Sequence, residues 1–164
     1  ERRQDPLERT IGPGAGRDPC RTPMPWDASP YAGFSTVEPW LPLNPDYETR
    51  NVAVQREDPR SMLRLYRELL LLRRAEPALA IGQYRPLGVT TDVLAYERTA
   101  GGRRLAIVLN FSGHEHVFRP PREPLDGHVL LSTHLDRHGE PVRGSLLLRP
   151  NEGCVVALSG LPIR

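Results

Sequence analysis

An α+β chain is the class this sequence predicts: a proline-rich loop segment, one long amphipathic helix, and then an all-β antiparallel sandwich. Three observations carry that prediction. Met62, Leu65, Tyr66, Leu69 and Leu72 recur at helical spacing. After Ala80 the pattern shortens to seven apolar runs separated by turn pairs such as Gly101-Gly102, Ser112-Gly113 and Asp126-Gly127. Residues 1–57 hold a large share of the 18 prolines and show no sustained period.

The first segment centres on Gly16-Arg17-Asp18-Pro19-Cys20-Arg21-Thr22-Pro23-Met24-Pro25-Trp26-Asp27. Pro19, Pro23 and Pro25 each remove a backbone donor and push the preceding residue toward extended geometry. A loop so stiffened holds its side chains at little entropic cost on binding. Tyr31, Phe34, Trp40 and Tyr47 are the aromatic anchors expected to fix the long loop onto a larger body. Asp58-Pro59 predicts the helix start, with Asp58 as N-cap and Pro59 at the first helical position. Leu63 and Leu70 widen the stripe, so a broadly buried helix is expected, with Tyr66 in the core and Pro77 as its stop. No partner for that wide stripe exists within the segment, which predicts that residues 1–80 complete a larger domain whose remainder lies upstream. The first residue is not Met, in keeping with that expectation.

The seven strands are expected over 83–87, 93–98, 104–111, 116–119, 128–132, 145–149 and 153–158. Their core is expected from Val93, Ala95, Leu105, Ile107, Leu109, Leu130, Leu147 and Val156.

Bulk properties narrow the function. With 38% hydrophobic and 26% charged residues the composition is that of an ordinary globular protein. No apolar run approaches the roughly 20 residues that span a bilayer, and no apolar core follows the first charges as in a signal peptide. A net charge of +2 does not suggest a nucleic-acid partner. All 22 basic residues are arginine, so lysine chemistry is excluded from this chain. Cys20 and Cys154 read as free thiols of a cytoplasmic protein. His114, His116, His134 and His138 lack the cysteines or carboxylates that would complete a metal site. Asn110-Phe111-Ser112 fits a glycosylation acceptor but falls at a strand end.

Arg17-Asp18-Pro19-Cys20-Arg21-Thr22-Pro23-Met24-Pro25-Trp26-Asp27, then Ala32-Gly33-Phe34, Pro39-Trp40-Leu41-Pro42 and Asn51-Val52, resembles the alpha-glucosidases of glycoside hydrolase family thirteen, in the oligo-1,6-glucosidase branch of the alpha-amylase clan. Members typically carry R-T-P-M-Q-W-D, A-G-F, P-W and N-V blocks in that order. A helix opening D-P-x-S follows, as over 58–69. Asn110-Phe111-Ser112 and Leu148-Arg149-Pro150-Asn151-Glu152 resemble pieces of the family's C-terminal sandwich.

The resemblance implies that residues 1–80 are the loop after the eighth strand and the last helix of a (β/α)-barrel, and that residues 81–164 are the C-terminal β-sandwich. The expected parent is a retaining alpha-glucosidase acting on small alpha-linked glucosides, without a cofactor or metal. Its catalytic carboxylates lie on earlier strands. None of Asp5, Glu8, Asp18, Asp27, Glu38 or Asp46 stands in the paired arrangement that retaining chemistry needs. No catalytic residue is therefore assigned, and the chain alone is expected to be inactive.

Arg21 matches the family arginine that binds the terminal glucose; Arg17 and Trp26 are the further substrate-binding candidates. A structural ion pair is the alternative use of either arginine, and packing of the loop is the alternative for Trp26. Asp18 and Asp27 are expected to brace the loop. Pro25 departs from the family's glutamine and loses a side-chain amide. Other readings are a glucosyl-transferring or isomerising relative, such as a sucrose isomerase or trehalose synthase, a non-catalytic family member, or a carbohydrate-binding module.

Overall fold

The computed structural model of the chain describes residues 5–12 and 14–160. They form two compact units, Glu1–Arg64 and Leu65–Arg164, divided within one helix.

In the first unit, Asp5 caps the short helix α1 (Pro6–Ile11), its side chain accepting from the Leu7 N–H. Two 3-10 turns follow, Asp18–Cys20 and Pro30–Gly33, and then α2 (Val52–Glu57). The long proline-rich segment is thus not structureless: α1, both turns and α2 were not expected. Each is three to six residues long, too short for a period to show. Asn51 is buried and caps α2, accepting from Val54 N at 2.9 Å while donating to the carbonyls of Tyr47 and Glu48.

Helix α3 (Met62–Ala75) begins four residues after Asp58. Asp58 instead ends α2, where its N–H donates to Val54 O. The working cap is Ser61, whose Oγ accepts from Arg64 N at 3.2 Å and donates to Gln55 O at 2.6 Å. The apolar stripe is present but uncovered. Only Leu65 of this helix is buried, whereas Tyr66 is 61% exposed and Leu70 55%. Tyr66 is therefore a surface residue among the described residues, not core, because that face of α3 lines an open groove.

In the second unit Pro77 does end α3, but it also opens α4 (Pro77–Ile81). Eight strands follow: β1 (Gln83–Val89), β2 (Val93–Ala100), β3 (Arg103–Asn110), β4 (His116–Phe118), β5 (Gly127–Ser132), β6 (Pro141–Val142), β7 (Leu146–Leu148) and β8 (Gly153–Leu158). All seven expected strands are present, and β6 is the addition. One sheet has the order β1-β2-β3-β8-β5-β6 and the other is β4-β7, every pair antiparallel.

Period two sorts the side chains. Val93 and Ala95 of β2, Ala106 and Val108 of β3, and Cys154 and Val156 of β8 face Phe118, Leu146 and Leu148 of the small sheet. Leu105, Ile107 and Ala157 face the other way and pack with Ala78 of α4. The expected core thus divides over two faces. Leu147 is the exception: its neighbours Leu146 and Leu148 point inward, leaving it 47% exposed.

Each end of the inner core is closed by charge. At the Arg104 end of β3, buried Glu97 accepts from Arg104 Nε at 2.8 Å and Nη2 at 3.0 Å, from Arg85, and from Thr99 Oγ1 at 2.9 Å. Glu123 completes that cluster, accepting from Arg85 and Arg104. Burial pushes the Glu97 carboxyl up, but the donors of Arg104 and Arg85 outweigh it and hold the group at about 2. Leu105 pairs with Ala157 and Leu109 with Gly153, so Glu152 lies at the opposite end. It is fully buried and takes Arg137 Nη1 at 3.0 Å, Arg149 Nη2 at 2.6 Å and the Arg149 N–H at 2.8 Å.

Candidate functional site

The sequence blocks singled out above converge through backbone hydrogen bonds. Val52 N donates to Pro25 O at 3.0 Å and Ala53 N to Trp26 O at 2.9 Å. Trp26 N and Asp27 N donate to Ala32 O at 2.8 and 3.3 Å. The R-T-P-M-P-W-D, A-G-F and N-V blocks are therefore one structural piece.

The A-G-F block earns its glycine here. Tyr31, Ala32 and Gly33 all lie in the left-handed region, with φ of 57°, 58° and 63°. A Cβ on Gly33 would stand 2.8 Å from both oxygens of the Asp27 carboxylate. Two consecutive non-glycine residues in that region carry strain of about 1–3 kcal/mol each, and the two hydrogen bonds onto Ala32 O help to hold them. Asp27 itself accepts from Ser29 N at 2.9 Å and from Ser29 Oγ. It braces the loop, as expected.

Arg17 and Arg21 are brought together by a residue that sequence reasoning passed over. Asp5 is fully buried. Its Oδ2 accepts from Arg17 N at 2.9 Å, Arg17 Nε at 3.0 Å and Arg21 Nη2 at 3.3 Å. Asp18 Oδ1 takes the same Arg21 nitrogen at 2.7 Å, and Asp18 Oδ2 takes the Asp5 N–H at 3.0 Å. The Arg17 guanidinium beside Asp5 holds that carboxyl far below the usual carboxylate range. Arg17 is shifted upward in turn.

Both arginines keep open donors, Arg17 with a side chain 62% exposed and Arg21 with one 39% exposed. Trp26 is 47% exposed. No contact brings Trp26 to either guanidinium among the described residues. The signal that could have pointed to Asp5 is Asp5-Pro6, an N-cap followed by proline at the first helical position.

The remaining candidates resolve into structural roles. Asn110 is buried, donating to the carbonyls of His114 and Arg149 at 2.7 and 2.8 Å and accepting from Ser112. Its amide is fully used by the fold, so the glycosylation signal is a strand-end brace. Cys20 is exposed and Cys154 buried, both as free thiols. Burial pushes the Cys154 thiol up to about 12, with the Glu152 charge adding to it. Among the described residues no group of three or more His, Cys, Asp or Glu side chains is placed to hold a metal ion. Nor is any described helix long and apolar enough to cross a membrane. A groove of about 710 Å³ between Tyr66 and Leu69 of α3 and Ile107, Leu109 and Val155 of the sheet is mainly apolar. It offers surface for packing and little for chemistry.

The loop thus carries two buried carboxylates, Asp5 and Asp18, and two partly exposed guanidiniums, and it precedes an antiparallel sandwich. Residues 2–82 match the family model described as the alpha amylase catalytic domain. A probable alpha-glucosidase of Rhizobium meliloti is 38% identical over 151 residues, which is 89% of this chain and 27% of that protein. An oligo-1,6-glucosidase of Bacillus cereus is 37% identical over 147 residues, 87% of this chain and 26% of that one. Among solved structures, the trehalulose synthase MutB from Pseudomonas mesoacidophila MX-45 superposes with a TM-score of 0.81 at 34% identity, covering 88% of this chain and 26% of its own. An isomaltulose synthase from Erwinia rhapontici NX5, solved with its natural substrate sucrose, gives 0.80 at 33% identity over 88% of this chain and 26% of its own. The chain belongs to the alpha-amylase family, glycoside hydrolase family thirteen. It spans about a quarter of the length of these relatives.

Proposed function

We propose that this chain is the C-terminal part of a retaining alpha-glucosidase that releases terminal alpha-linked glucose from small oligosaccharides or disaccharides. Residues 1–80 are the end of the catalytic barrel, and residues 81–164 are its sandwich. The catalytic carboxylates stand elsewhere in the parent enzyme, so this chain alone turns nothing over. Its own part is one wall of the glucose pocket, with Arg21 and Arg17 donating to sugar hydroxyls and Trp26 offering a ring face.

The observation that carries this reading is the pair of arginines anchored on buried Asp5 with donors left open. A planar guanidinium suits vicinal hydroxyls, and a tethered one loses little entropy when it binds them. The wide uncovered stripe of α3 supports a barrel partner for residues 1–80. Unpaired Cys20 and Cys154 fit a reducing compartment, so the cytoplasm is the proposed location.

The test is turnover of 4-nitrophenyl alpha-glucoside by the protein expressed from its complete reading frame, beside the 164-residue chain. Activity in the first and none in the second is expected. Turnover by the 164-residue chain sinks the division of labour, and a complete protein inert on every alpha-glucoside sinks the enzyme reading. A second reading, sucrose isomerisation, is favoured by the structural likeness to trehalulose and isomaltulose synthases. Product analysis separates the two: glucose and fructose for hydrolysis, an isomeric disaccharide for isomerisation.

A further inference from the structure

We propose that Asp5 is the positioning residue of the sugar-facing loop, its buried carboxylate fixing the Arg21 guanidinium, and Arg17 beside it, for a neutral polyhydroxylated ligand. This rests on the reading of Arg21 as the contact to the terminal glucose.

An arginine on a surface loop has four flexible torsions, and ordering it against a ligand costs free energy at every binding event. Here that ordering is done before the ligand arrives. Asp5 Oδ2 and Asp18 Oδ1 grip one nitrogen of Arg21, Nη2, at 3.3 and 2.7 Å. Two acceptors on one nitrogen fix the plane of the fork and leave Nε and Nη1 to donate elsewhere. The Arg17 side chain is held differently, by Nε at 3.0 Å, and among the described residues both of its Nη groups stay open.

The ring closes on itself because the Asp5 N–H donates back to Asp18 Oδ2 at 3.0 Å. Asp5 is in turn set by its place at the start of α1, where Oδ1 takes the Leu7 N–H at 2.9 Å. The loop cannot drift from that helix: Gly14 N donates to Glu8 Oε1 at 3.2 Å, and a Cβ on Gly16 would stand 2.2 Å from Glu8 Oε2.

Asp5 does not itself face the ligand, since it is fully buried, and its effect must therefore pass through Arg17 and Arg21, the two guanidiniums it holds. The test is a double-mutant cycle on kcat/KM for 4-nitrophenyl alpha-glucoside in the protein expressed from its complete reading frame. Asp5→Asn is expected to lower kcat/KM by about tenfold to a hundredfold, the range for a misplaced positioning group. In a background carrying both Arg17→Lys and Arg21→Lys the same change is expected to cost less than about twofold. Asp5→Glu, which keeps the charge, should recover part of the loss, and it stands in if Asp5→Asn fails to fold.

Additive losses overturn the role of Asp5 alone. An Arg21→Lys variant within about twofold of wild type overturns the sugar-contact reading and the proposal with it. A second arm needs no turnover. In the 164-residue chain with ¹⁵N-labelled arginine, Asp5→Asn should collapse the resolved Nε–H signal of Arg17 and the Nη signals of Arg21 into the exchange-averaged envelope. Unchanged arginine signals overturn the proposal.

Discussion

Replacing Glu97 by Gln should destabilise the sandwich. Glu97 is 2% exposed and uses both oxygens, taking Arg104 Nε and Thr99 on one and Arg104 Nη2 and Arg85 on the other. A glutamine of the same shape puts an NH₂ group either against Arg104 Nε and the Thr99 hydroxyl or against Arg104 Nη2 and the Arg85 guanidinium. Arg104, itself 5% exposed, keeps its ion pair with Glu123. Breaking a buried pair costs about 3–5 kcal/mol. The retained Glu123 and the half-exposed Arg85, whose charge is screened by water, reduce that to about 2–3 kcal/mol.

For a unit of this size such a loss lowers the melting temperature by about 10–20 °C. Far-UV circular dichroism and urea titration of the 164-residue chain measure it. Both tryptophans, Trp26 and Trp40, lie before residue 65, so their fluorescence follows the other unit separately. The acid limb gives a further check. The folded Glu97 pKa of about 2 lies below its ordinary 4.5, so its stabilisation is complete above about pH 4.5 and is lost as pH falls from there toward 2. Glu97→Gln should flatten stability against pH across that window. A loss under about 1 kcal/mol, or an acid limb as steep as wild type, would refute the reasoning.

Two further outcomes follow from packing and burial. Gly127→Ala should disrupt the pairing of β5 with β8, because its Cβ would stand 2.0 Å from the backbone oxygen of Ala157; amide exchange at Leu131, which pairs with Val155 of β8, should accelerate, and wild-type protection would contradict the close approach. In a thiol titration of the native chain, Cys20 should react at once, while Cys154, buried and pushed up to about 12, should react only on unfolding; two fast thiols would contradict the burial.

What the sequence revealed and concealed follows from the range of the interactions. The strands were legible because alternation and turn pairs are local, and β6 was not because two residues make no alternation. The start of α3 misled because Asp58-Pro59 is a valid local cap signal, yet Asp58 is already used to end α2 and Ser61 takes over. Glu97, diagonal to Arg104, was in principle readable: it continues the inward series Val93, Ala95, and a charge there demands a partner. Asp5 was hidden for the opposite reason. Its arginines lie 12 and 16 residues away across glycine turns that no period constrains.

The two charged closures also act as a ruler. Arg104 and Asn110 mark the span of β3 between them, about 20 Å at 3.4 Å per residue. Insertions in the Gly101-Gly102 turn leave that span intact, whereas two residues added within β3 would keep every side chain on its proper face and still pull one closure out of reach. Length variation in this sandwich is therefore confined to its hairpins, and the strands between the closures are fixed in count as well as in pattern.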